Sequence, residues 1–88
     1  MIMKEFTYTI TDEAGLHARP AGRLAKKASE YKSSVTVTKD GKKADTSRVM
    51  ALMSMGIKYG DTINITIEGE DEEQAVNEIK QFMDENKL

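Results

Sequence analysis

The stretch FTYTITDEAGLHARPAGRLAKKA, residues 6–28, changes its hydrophobic period once, and that change decides the fold. Phe6, Tyr8 and Ile10 alternate with Glu5, Thr7, Thr9 and Thr11, the period of two expected of a strand with one buried face. Thr11 to Gly15 form a polar turn. From Pro20 onward Leu24, Ala25, Ala28 and Tyr31 recur at helical spacing, with Arg23, Lys26, Lys27 and Glu30 largely between them, which predicts a helix over 18–30.

Further along, Val35 and Val37 alternate with Ser34, Thr36 and Thr38, and Asp40-Gly41 is a hairpin signal that returns the chain as a short strand from Lys43 to Thr46. Thr46 or Ser47 is expected to cap a short helix, Arg48 to Met55, which Gly56 ends. Its Val49, Met50, Leu52, Met53 and Met55 are too numerous for one buried stripe, and Leu52 and Met55 are expected to be the buried ones. Ile63, Ile65 and Ile67 alternate with polar residues as a fourth strand. Asp71 and Gln74 resemble a capping box for a last helix buried through Ala75, Val76, Ile79, Phe82 and Met83. The order βαββαβα, with strands that bury one face each, predicts an α+β fold in which three helices cover one face of a four-stranded sheet.

The 88 residues suffice for a single domain, expected to span 1–88. With 13 Lys plus Arg against 15 Asp plus Glu, the net charge of −2 favours neither nucleic acid nor an anionic membrane as partner. The sheet also lacks the paired exposed aromatics of an RNA-binding face. One histidine and no cysteine leave only carboxylates as further metal ligands, so no metal or other cofactor is expected. A nucleotide-binding loop, which a self-contained kinase would need, is missing. The start MIMKEFTYTI is too short and polar for a signal peptide, and no apolar run approaches the roughly 20 residues that span a bilayer, so a soluble cytoplasmic protein is expected.

His17 lies where the strand period yields to the helix period. A neutral imidazole has one unprotonated nitrogen at physiological pH and serves as a covalent nucleophile, and a phosphoryl group on that nitrogen stays labile. The helix opening beside it offers N–H groups without intrahelical acceptors and the positive end of the macrodipole, so Ala18 and Arg19 are candidate phosphate-binding residues. The Arg19 guanidinium adds charge-assisted bonds, and Pro20, which has no N–H, suits the first turn. Arg19, Arg23 and Lys26 form a cationic stripe suited to steering acidic partners. Asp12 and Glu13 are candidates to orient His17, but a solvated turn is the expected use of both.

GLHARPAG at 15–22 resembles the active-site segment of the HPr family of histidine-containing phosphocarriers, and MALMSMGI at 50–57 is similar to that family's second signature, at ungapped spacing. The resemblance covers essentially the whole chain. It implies an open-faced β-sandwich with a four-stranded antiparallel sheet. It also implies that the chain is a carrier rather than a stand-alone catalyst, accepting phosphate on His17 Nδ1 from enzyme I and passing it to enzyme IIA domains of the sugar phosphotransferase system, with Arg19 as electrostatic partner. Relay needs brief docking on a small apolar patch ringed by charge, and Val49, Met50 and Met53 correspond to the family's docking residues, with Arg23 and Lys26 beside them. The carrier is expected to act as a monomer. A regulatory paralogue serving a non-sugar relay would share these residues.

Two departures stand out. Arg48 occupies the position where the Gram-positive branch of the family carries a regulatory serine, and Ser47 falls one residue early, which turns a helical side chain by about 100°. Serine-based regulation is therefore expected to be lost or altered, with Ser47 used for capping. Gly22 replaces a better helix former in the first turns of the helix, lowering its propensity by about 1 kcal/mol relative to Ala.

Overall fold

A computed structural model describes residues 3–88, and the first two residues of the MIMKEFTYTI segment lie outside them. The elements follow in the order β1 (Lys4–Thr9), α1 (Ala18–Ala28), β2 (Ser34–Lys39), β3 (Lys42–Asp45), α2 (Val49–Met53), β4 (Thr62–Glu68) and α3 (Glu72–Glu85). The strands make one antiparallel sheet in the order β1-β4-β2-β3. The last strand in sequence thus enters between β1 and β2, and the alternating pattern of each strand sets its register. Phe6 and Val37 both stand opposite Ile65, and Ala44 stands opposite Val37, so apolar side chains form rows across one face.

The helices cover that face. Val35, Val37, Ile63, Ile65 and Ile67 of the sheet are buried together with Leu24 of α1, Leu52 of α2 and Ala75, Ile79 and Met83 of α3. Each large aliphatic among them contributes about 1.5–3 kcal/mol by leaving water. The opposite face carries Thr7, Thr9, Thr36, Thr38, Asn64 and Thr66, an open polar surface. At the β2–β3 turn Asp40 and Gly41 both take positive φ, 50° and 81°, the conformation that a two-residue hairpin loop requires.

Several local expectations change. α1 ends at Ala28, and Tyr31 lies beyond it, donating its hydroxyl to Glu78 of α3 at 2.5 Å. Neither Thr46 nor Ser47 caps α2. The Thr46 hydroxyl is buried and donates to the Val35 carbonyl, the Ser47 N–H donates to the Asp45 carboxylate, and Arg48 takes the cap position without a side-chain bond. Met55 is only half-buried: with Val49, Ala51 and Met53 it packs against the margin of the core, and Leu52 is the one fully buried residue of α2. Asp71 begins α3, but the capping box does not form. Its carboxylate accepts instead from Lys32 N, Ser33 N and Ser33 Oγ at the start of β2, while Glu72 Oε1 accepts from Gly69 N at 3.1 Å and Gln74 turns to Glu78.

Candidate functional site

Polar loops at one end of the sheet carry His17, and main-chain bonds from two distant segments, the turn before β4 and the Leu88 end, hold its approach. Ile10 N donates to Asp61 O and Gly60 N to Ile10 O, each at 2.9 Å. Thr11 N and Asp12 N donate to the main-chain oxygen of Leu88 at 2.9 and 3.1 Å, and the Leu88 side chain is itself buried. Leu16 N donates to Ile57 O at 3.0 Å. Between these tethers Gly15 takes φ +75°, and a Cβ there would stand 2.6 Å from Ile57 O and 2.9 Å from Lys58 Cα. Only glycine satisfies both the left-handed backbone and the close approach.

The next two residues set the imidazole. Leu16 is buried and anchors the loop, and His17 is the cap residue of α1, its extended backbone accepting from Ala21 N at 3.0 Å. The ring makes no capping bond, and 41% of the His17 side chain is exposed, enough for a macromolecular partner to reach it. Pro20 is buried inside the first turn, where it removes no needed donor. Ala18 and Arg19, both exposed, lie in the turn whose N–H groups have no acceptor one turn earlier, and α1 has no acidic residue there to occupy them.

Asp12 is drawn into the site. Its Oδ1 accepts from Ala14 N at 2.9 Å, which fixes the carboxylate, and its Oδ2 stands 3.7 Å from His17 Nε2. The expected solvated turn is therefore corrected for Asp12, while Glu13 is exposed. The carboxylate lies on the Nε2 side of the ring. No local sequence pattern identified this pairing, since a five-residue separation across a turn has no fixed geometry.

The three cations of the stripe, Arg19, Arg23 and Lys26, stay exposed, and among the described residues none of them makes an ion pair. Lys27, outside the stripe, pairs with Glu30 at 3.2 Å and lies 5.7 Å from the centre of the Tyr31 ring. Tyr31 and Glu30 together raise the Lys27 ammonium above its ordinary value. On α2, Met50 is 78% exposed, Val49 and Met53 are half-buried, and Arg48 is exposed at the cap position.

Known proteins resemble this arrangement throughout. A family model described as the phosphorylation site of the PTS HPr component matches residues 4–85. The phosphocarrier protein HPr of Mycoplasma capricolum subsp. capricolum is 44% identical over 81 residues, which cover 92% of this chain and 91% of that protein. A solved mycoplasma histidine-containing phosphocarrier protein shares 42% identity at a TM-score of 0.91, covering 97% of both chains. An HPr structure from Thermoanaerobacter tengcongensis matches at a TM-score of 0.86 and 37% identity, covering 92% of this chain and 91% of that one. These matches cover nearly the whole chain at identities well above those that indicate fold alone, and the chain belongs to the HPr family of phosphotransferase-system components.

Proposed function

We propose that this chain relays a phosphoryl group, accepting it on His17 from the phosphohistidine of enzyme I and passing it to a histidine of sugar-specific enzyme IIA domains. The observation that carries this reading is the half-exposed imidazole at an uncapped, acid-free helix opening, with Asp12 on its Nε2 side. In the forward step the Nδ1 lone pair attacks phosphorus. The P–N bond to the donor imidazole breaks, and that ring keeps the electron pair. The His17 proton stays on Nε2, where the Asp12 carboxylate stabilises the growing positive charge on the ring. Ala18 and Arg19 N–H groups and the Arg19 guanidinium hold the phosphoryl oxygens. Transfer onward reverses the roles, so the chain is a cosubstrate of other proteins' chemistry and not a catalyst by itself.

Docking falls to Val49, Met50 and Met53, with Arg23 and Lys26 contributing charge. Methionine repacks easily, which suits one surface that meets several partners. Arg48 places a cation where the Gram-positive branch of the family has its regulatory serine. Ser47 neither caps α2 nor occupies the equivalent position, which supports the reading that serine-based regulation is lost or altered in this chain.

Incubation with enzyme I and phosphoenolpyruvate, followed by intact-mass measurement, tests the relay. The expected gain is one phosphoryl unit of about 80 Da, stable to base and labile to acid, and absent from His17→Ala. A wild-type chain that gains nothing from a competent donor refutes the carrier reading. Incubation with the family's serine kinase should leave Ser47 unmodified, and stoichiometric labelling there would overturn the reading of Arg48.

A further inference from the structure

Lys39 breaks the pattern of its own strand. Val35 and Val37 face the helices and are buried, and two residues on the same parity places a lysine at the covered face of the sheet. Its ammonium turns to the loop before β4 and meets Asp61 Oδ2 at 2.7 Å, with side-chain exposures of only 20% and 29%. The same ammonium donates to Gly56 O at 3.4 Å.

Asp61 is a junction in its own right. Besides Lys39, its Oδ2 accepts from Lys58 N at 2.8 Å, and its main-chain N–H donates to Lys58 O at 3.0 Å, closing the turn. Its carbonyl accepts from Ile10 N, at the point where β1 gives way to the histidine loop. The ammonium beside it and the Lys58 N–H hold the Asp61 carboxyl below the usual carboxylate value, so it is charged at neutral pH. The turn thus fixed, residues 56–61, is the one whose Ile57 carbonyl receives Leu16 N and whose Ile57–Lys58 backbone lies under Gly15.

We propose that Lys39 and Asp61 are positioning residues for phosphoryl transfer: their ion pair clamps the 56–61 turn, and through the Ile57–Leu16 bond that turn sets the height and orientation of His17. The inference rests on the carrier reading for its consequence, while the clamp itself is a statement about the loop. Neither residue touches the imidazole. Removing the pair lets the turn move, frees the Leu16 amide and spreads His17 over conformers that hold Nδ1 out of line for attack.

Amide hydrogen exchange and phosphorylation rate test it together on Lys39→Met and Asp61→Asn. Each variant is expected to speed Leu16 exchange several-fold while buried amides of β4 and α3 keep theirs. With the carrier as varied substrate of enzyme I, each should lower the maximal rate several-fold and leave half-saturation near that of wild type. The double variant should be no worse than the more damaged single one, because both remove the same contact. The two substitutions change net charge in opposite directions, so a mere electrostatic effect on docking would move the two variants oppositely, which overturns the clamp. Unchanged Leu16 exchange, or exchange that rises equally throughout the sheet, overturns it as well. A wild-type chain that takes no phosphate refutes the carrier reading instead, and the exchange data still decide the loop.

Discussion

α1 and α3 begin with the same device and end with opposite electrostatics. In each, a glycine two positions before the cap residue lies against a neighbouring backbone. Gly15 precedes His17 and rests on Ile57 and Lys58, while Gly69 precedes Asp71 and rests on Ser33, where a Cβ would come within 2.4 Å of Ser33 Cα. At α3 acidic side chains then gather at the opening, although none of them bonds to an N–H of the first turn. Asp71 ties down Lys32 and Ser33, Glu72 takes the Gly69 N–H, and Glu73 adds a further negative charge to the first turn. At α1 nothing comparable happens, since the cap is an imidazole that bonds to no backbone donor and the first turn is free of acids. Seating a helix and neutralising its positive end are therefore separate jobs. This molecule does both at α3 and only the first at α1, the helix that begins at His17.

The strongest way to break the comparison is to disturb the seats. Gly15→Ala and Gly69→Ala should each cost about 2 kcal/mol or more, because a backbone must shift to admit the new carbon, and thermal melting will register both. Their consequences then part. Gly15→Ala should also abolish most phosphoryl acceptance, by displacing His17, whereas Gly69→Ala should leave the rate per folded molecule near that of wild type. Equal losses of rate in the two variants would mean that α1's seat has no special bearing on function.

Next in size is a variant that makes α1 resemble α3. Ala18→Glu sets a carboxylate in the exposed first turn, as Glu72 and Glu73 do in α3. The helix itself gains a few tenths of a kcal/mol from the better match to its dipole. Phosphorylation by enzyme I should nevertheless fall roughly tenfold, since the new charge repels the incoming phosphoryl group and competes for its donors. A more stable protein with a poorer reaction is the signature sought, read by melting temperature and initial rate on the same preparation.

Asp71 gives the converse test, on α3, which carries no candidate site residue. The Ser33 hydroxyl, then the Lys32 and Ser33 N–H groups, hold its carboxyl below the ordinary carboxylate value. A carboxyl depressed in the folded state adds stability at pH above its unfolded value of about 3.9, and that stability disappears as pH falls through the folded value. Asp71→Asn should therefore melt below wild type at pH 7 and approach it at pH 3, with phosphorylation at neutral pH unaffected. A melting difference that stays constant with pH would assign the loss to geometry rather than charge.

Much of this was legible in the residues because it depends on periods and single-residue chemistry. Val35, Val37, Ile63, Ile65 and Ile67 alternate in sequence and are buried in space, and Asp40-Gly41 turns the hairpin as its backbone freedom suggests. His17 stands at the helix opening for the same local reasons. What escaped were side chains whose partners lie far along the chain. Asp71 looks like a cap because a cap is the nearest use for it, yet Ser33, 38 positions away, is the better donor set. Thr46 likewise turns inward to Val35 instead of capping α2. Lys39 did carry a signal, a charge at a position whose parity predicts burial, and that signal demanded a partner without naming Asp61.

The smallest expected effect concerns stiffness at the open helix. Gly22 lies within α1 at an ordinary helical φ, with nothing within 4 Å of where a Cβ would stand, so neither conformation nor space requires a glycine there. Gly22→Ala should stabilise the protein by about 0.5–1 kcal/mol through the lower entropy of its unfolded chain. If the amino end of α1 works as a fixed set of donors, made available by the lack of acids and held by its seat on Ile57 and Lys58, stiffening the next turn should leave the phosphorylation rate where it was. A slower reaction in the more stable variant would instead mean that the opening must loosen to take and release its anion. The contrast with α3 would then lie in mobility as much as in charge.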